Sequence, residues 1–363
     1  MRRRLIVIGA ALLFARAAGA SPYAGEFLAT GIGARPLGMG GAYVALVDDA
    51  SASYWNPAAL PRAHGRGVVY MHSETFGQLV NYDTGALVLR SREAADGSRS
   101  AVGLSVLVTS VPNIFFTTTD RDERRQVEQK ISGPGDPNDP TWGDGHLDVD
   151  ERINFDALRE FGRMVTDREM GLLFSYGRTR AFDDRLSLGS SVKFVRKSVD
   201  TYSAWGLGLD LAGLWQVREN WTVGLNMQDA TTTFLDWRNT PSNPREFITP
   251  TMKLGTAYTR AISSIGGTIT GVADLNLRFE DEAGATFNLG GVPGDVRAGV
   301  EYWYHDAFAL RGGSERVAGD DHGYTAGAGL RIRRFNATFV FDYAYRNHAD
   351  LDDTHRVSGG VTF

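Results

Sequence analysis

The stretch Phe335-Asn336-Ala337-Thr338-Phe339-Val340-Phe341-Asp342-Tyr343-Ala344-Tyr345-Arg346 alternates with a period of two. Phe335, Ala337, Phe339, Phe341, Tyr343 and Tyr345 form one face, and Asn336, Thr338, Val340, Asp342, Ala344 and Arg346 form the other. Successive side chains of a strand point to opposite faces, so this spacing makes one greasy, aromatic surface and one that carries an acid, a base and an amide. A barrel in a membrane wants that division, with the greasy face on lipid and the mixed face on a wet lumen. The pattern recurs where Trp221, Val223, Leu225 and Met227 oppose Thr222, Gly224 and Asn226. It recurs again where Tyr324, Ala326, Ala328, Leu330 and Ile332 oppose Thr325, Gly327, Gly329, Arg331 and Arg333.

Outward from these stretches, alternation predicts strands over 66–74, 79–90, 100–111, 167–179, 185–199, 201–216, 220–230, 247–260, 265–279, 294–305, 306–315, 322–333, 335–347 and 353–363. That is an even set, as single-chain bacterial barrels have. A soluble β-sandwich or propeller also alternates, but many of these segments far exceed the roughly 5–6 residues of an ordinary strand. Aromatic clusters such as Tyr302-Trp303-Tyr304 suit an interfacial girdle. The expected fold is therefore all-β, a 14-stranded antiparallel transmembrane β-barrel over residues 66–363. At the chain end, Val357, Val361 and Phe363 share one face. A terminal Phe on an alternating strand resembles the insertion signal read by the barrel assembly machinery, which makes that machinery and outer-membrane lipid expected partners.

Composition agrees. Glycine is 43 of 363 residues, proline only 12 and aromatics 11%, which favours strands over helices because glycine is costly in helix interiors and aromatics suit pleated surfaces. There is no cysteine, so no disulfide, lipoprotein anchor or thiol chemistry is available. Residues 1–20 read as a signal peptide: Arg2 to Arg4, an apolar run from Leu5 to Phe14, and Ala18-Gly19-Ala20 before Ser21. Without the leader's four arginines, 34 basic residues face 43 acidic ones, a net charge of −9. That balance argues against nucleic acid as a partner, since such binders concentrate basic charge on a face. No apolar run after Ser21 is long enough for a spanning helix, which leaves a closed barrel as the membrane solution. The expected location is the bacterial outer membrane.

Residues 25–60 do not alternate and are dense in Gly and Ala. Gly33-Ala34-Arg35, Gly38-Met39-Gly40-Gly41-Ala42-Tyr43, Asp48-Asp49-Ala50 and Tyr54-Trp55-Asn56-Pro57-Ala58 stand in that order. This string resembles the N-terminal signature of the PorV/PorQ family of outer-membrane proteins and, more distantly, the FadL hydrophobe transporters. The resemblance implies that residues 21–65 fold into the lumen as a hatch. Gly38, Gly40 and Gly41 would let backbone approach the wall closely, and Asn56-Pro57 reads as the N-cap and first-turn proline of a short helix. Asp48 and Asp49 are expected to meet basic lumen residues, with Lys193, Lys253, Arg297 and Arg331 as candidates. The family's roles imply docking of exported proteins or secretion-system components, or a structural surface barrel. The alternative is passive transport of hydrophobic, fatty-acid-like small molecules through a hatch-gated lumen.

Catalytic signatures are missing: the seven histidines are scattered, no Gly-x-Ser-x-Gly elbow occurs, and Gly31-Ile32-Gly33 lacks the preceding strand of a dinucleotide loop. The expected protein is not an enzyme. Residues 112–166 interrupt the strand rhythm and are expected as an extracellular insert with an acidic loop, 136–151, and a short helix carrying Phe155, Leu158, Phe161 and Val165. With Gly145 as turn glycine, Asp144, Asp148, Asp150 and Glu151 are candidate calcium ligands, although Pro140 and Trp142 occupy the first two ligand positions of an EF-hand loop.

Overall fold

The computed structural model describes residues 24–63, 65–75, 77, 79–90, 93–117, 162–240, 243–279, 287–316, 323–347 and 353–363. The wall strands are β1 (Arg66–Thr75), β2 (Val80–Arg90), β3 (Ser100–Thr117), β4 (Gly162–Arg178), β5 (Leu186–Val199), β6 (Tyr202–Arg218), β7 (Trp221–Gln228), β10 (Thr251–Ile262), β11 (Gly267–Arg278), β13 (Val292–Tyr304), β14 (Phe308–Ser314), β15 (Tyr324–Arg334), β16 (Ala337–Arg346) and β17 (Thr354–Thr362). Each pairs antiparallel with the next, and β17 returns to β1 with Gly67 opposite Thr362 and Glu74 opposite His355. The fourteen-stranded barrel is thus closed and presents no free edge, the condition for satisfying backbone amides in lipid. No helix among the described residues is long and apolar enough to cross a membrane.

Burial follows the sequence alternation turned inside out. On β7, Trp221, Val223 and Leu225 are exposed on the outer face, whereas Thr222, Asn226 and Gln228 are buried. Trp205, Leu207, Leu211 and Trp215 do the same along β6. The longest connections, 118–161, 229–250 and 279–291, lie at one end of the barrel, and two- and three-residue turns join β6 to β7, β13 to β14 and β15 to β16 at the other. Phe335-Asn336 and His305-Asp306 are such turns, all four residues having positive φ, so the strands expected to begin at 335 and 306 begin at 337 and 308.

Three strands lie outside the sequence expectation. β8 (Thr233–Arg238) pairs with β9 (Arg245–Ile248) and with the upper part of β6, extending the wall beyond β7 at the long-loop end. β12 (Phe287–Leu289) forms a short hairpin with β13. The insert expected over 112–166 is narrower, because β3 and β4 continue their ladder until Thr117 meets Gly162. Val165 therefore sits on a strand rather than on the expected helix, since pairing with Ile114 satisfies its backbone there. Phe155, Leu158, Phe161 and the proposed calcium ligands Asp144, Asp148, Asp150 and Glu151 lie outside the described residues. Tyr302-Trp303-Tyr304 does not act as one girdle cluster: the pleat turns Trp303 inward, where Arg331 stacks at 4.0 Å from its ring, and leaves Tyr304 outside.

Candidate functional site

The lumen is filled by residues 24–63, which run from the long-loop end to the start of β1 at the other. Three single-turn helices, α1 (Glu26–Ala29), α2 (Ala34–Leu37) and α3 (Ala52–Trp55), precede a 3-10 turn over Pro57–Arg62. Such short turns do not stand alone. They hold here because Tyr43, Tyr54 and Trp55 pack edge to face at 5.9 and 5.0 Å, and because the polar ends of Tyr54 and Trp55 find backbone partners. Trp55 Nε1 donates to the Ile32 carbonyl at 2.8 Å and Tyr54 Oη to that of Leu28 at 2.6 Å. Asn56 caps the 3-10 turn as its sequence suggests, its side chain accepting from the Ala58 amide at 3.1 Å with Pro57 at the first turn.

The wall supplies what the segment's irregular backbone needs. Asp274 on β11 accepts from the Tyr43 and Val44 amides at 2.8 and 3.0 Å. Thr325 accepts from the Gly40 amide at 2.9 Å, and Ser358 from that of Ala34 at 3.0 Å. Asn226 donates to the Trp55 carbonyl at 3.0 Å, and Ser175 to that of Ser53 at 3.0 Å. A side-chain contact between Ser53 and Ser105 adds to the set. Close approach is met by glycine on both sides. Gly40 has φ +67, and a Cβ there would run into the Ser314 backbone. On the wall, Gly177 and Gly189 face Pro57, Gly299 and Gly313 face Met39, and Gly327 faces Gly38.

One ion network ties plug to wall. Arg35 donates to both oxygens of Glu301 at 2.8 Å, Arg311 donates to Glu301 at 2.7 Å and to Asp342 at 2.8 Å. These groups are buried, so the paired geometry is what makes their desolvation tolerable. Asp48 and Asp49 do not meet Lys193, Lys253, Arg297 or Arg331. Asp48 pairs with Arg35 at 2.6 Å, and Asp49 accepts from the Ser51 amide at 2.8 Å and from the Tyr43 hydroxyl at 3.1 Å. The reason is local: Arg35 reaches them from one turn of the same segment while holding the wall through Glu301. Burial opposes the charged form of Arg35, but Asp48 and Glu301 more than offset that and hold it well above the usual arginine range. Burial pushes the Asp49 carboxyl up, with Asp48 adding and Arg35 opposing.

The four basic candidates lie elsewhere in the lumen. Lys193 pairs with Asp210 and Asp229 at 3.1 and 2.8 Å, and Arg331 pairs with Asp306. Lys253 lies 5.5 and 5.6 Å from the Tyr54 and Trp55 ring centres, and Arg297 lies against Gly41. Sequence reasoning missed Glu301, Arg311 and Asp274 as site residues. Their signal was a charge on the lumen parity of a greasy strand, as with Glu301 between Val300 and Tyr302. Val357 on β17 and Phe363 just past its end are exposed. Among the described residues no cluster of His, Asp or Glu could hold a metal ion.

The same barrel fold is seen in solved structures. The Ralstonia pickettii toluene transporter TbuX covers 91% of this chain and 97% of its own at 13% identity and a TM-score of 0.50. A Pseudomonas aeruginosa FadL homologue covers 91% and 97% at 14% identity and 0.51. The deltaS2S3 mutant of the TodX monoaromatic hydrocarbon channel covers 91% and 98% at 12% identity and 0.50. The fold is that of the FadL-type outer-membrane barrels. These neighbours are transporters and channels rather than enzymes. No family model and no curated protein matches the sequence.

Proposed function

We propose that the chain is a non-catalytic channel of the bacterial outer membrane, kept shut by residues 24–63 and opened by their rearrangement to pass small hydrophobic molecules. The observation that carries this reading is the anchoring of a single N-terminal segment to the lumen wall through side chains of β4, β7, β11, β13, β15 and β17. A plug bound by many separate polar contacts is stable as a whole yet open to local release, because each net bond contributes only about 0.5–1.5 kcal/mol. Cargo class is suggested by the named substrates of TbuX and TodX, toluene and monoaromatic hydrocarbons. The β3–β4 register shifts between Val111 and Ile114, with Asn113 at φ 60, and a bulge of this kind interrupts the ladder and bends the strand near the long-loop end.

The PorV/PorQ resemblance, and with it docking of exported proteins, rests on the N-terminal string. Those residues point inward and pack against the wall, so they bear on closure rather than on a surface for partners. Expression of the full chain in a Gram-negative host lacking its own hydrophobe channels should raise the initial rate of uptake of labelled toluene. An uptake rate equal to that of the empty host, with folded barrel present in its outer membrane, would overturn the transport reading.

A further inference from the structure

Beside α1 at the long-loop end lies a lumen cavity of about 230 Å³ whose lining mixes charged side chains with Ala29, Leu37 and Met71. Five arginines line it, and they fall into two groups. Arg278 and Arg316 face Asp295 at 3.0 and 3.6 Å, and Arg346 faces Glu315 at 2.9 Å. Arg297 and Arg356 have no ion-pair partner among the described residues. Arg356 is only 8% exposed, and its Nη1 has no hydrogen-bond partner among the described residues. The Nε atom of Arg297 is likewise shielded and without a partner among them. Asp274 stands opposite Arg297 on β11, but its Oδ2 is engaged by the Tyr43 and Val44 amides, and no ion pair joins the two.

A buried guanidinium left with an unmatched donor is costly, and Arg356, with the half-buried Arg297 lining the same cavity, makes an arrangement that an oxyanion completes. We propose that this cavity is a binding site for a compact, water-soluble organic anion bearing a carboxylate or phosphate group, held by Arg356 and Arg297. The volume suits it, since roughly 10–15 Å³ of such space accommodates one water. The cavity lies inside the closed wall rather than on the lipid face, so the ligand is a solute and not a membrane headgroup. Two of the chain's own carboxylates line the cavity, Glu315, which Arg346 pairs, and Glu26, the exposed first residue of α1, which is the competitor left without a base among the described residues. An apolar cargo has no need of these groups, so the site goes beyond the passage of hydrophobes. Binding is read on the shut barrel, so its outcome is independent of whether any cargo crosses.

Calorimetric titration of inorganic phosphate, and separately of succinate, into the full-length barrel in nonionic detergent tests the proposal. Saturable binding is expected, with each anion competing against the other. Arg356→Gln should weaken it by about tenfold, the loss of one charge-assisted bond, and Glu26→Gln should tighten it several-fold by removing repulsion. Glu26 is exposed, so its variant keeps the test decisive even where Arg356→Gln does not fold. No saturable binding, or an affinity unchanged in either folded variant, would overturn the proposal.

Discussion

At the residue scale, closure turns on Glu301. Its two oxygens receive Arg35 from the plug and Arg311 from the neighbouring strand, and it is 1% exposed. Truncating one member of a buried ion network leaves its partners charged and uncompensated, at a cost of about 3–5 kcal/mol. Glu301→Gln, which keeps the shape but not the charge, should lower the temperature at which the folded barrel loses its fast-migrating gel band. It should also raise the frequency of brief openings in planar bilayers. Unaltered melting and gating would mean that the network is decoration. The sequence made Asp48 and Asp49 visible as a pair, but not their partner. A pattern of spacings says which face a side chain takes, whereas the choice between Arg35 and four more distant bases depends on how an irregular segment folds back on itself.

At the element scale, the wall strands carry small residues where the plug's backbone passes. A methyl group at Gly189 on β5 would meet the Pro57 and Ala58 backbone, whereas one at Gly271 on β11 would have nothing within 4 Å. Neither needs a left-handed conformation, so the contrast is one of space alone. Gly189→Ala should displace the 3-10 turn over Pro57–Arg62 and make the plug more sensitive to added protease, while Gly271→Ala should leave cleavage at the wild-type rate. Equal cleavage in both would show that the plug adapts without strain. The strands themselves were legible because lipid enforces alternation on one face along their full length. The β8–β9 hairpin was not, since it stands beyond that constraint at the long-loop end and its short, half-buried strands lack a sustained period. The glycine excess read as a strand signal is in part a packing signal, which appears only when plug and wall are seen together.

At the scale of the whole molecule, a closed fourteen-stranded wall and an internal segment anchored around it account for a chain without cysteine that still holds a large polar interior. The wall's hydrogen bonds require closure, and the plug's require the wall, so the two are expected to fold in that order. Single-channel recording in planar bilayers compares the full chain with one lacking residues 25–60, each first shown by its heat-modifiable migration to be a folded barrel. The account predicts that the full chain stays closed apart from brief openings and that the deletion gives large, steady conductance steps. Equal conductance in the two would contradict it, placing the gate elsewhere than in this segment.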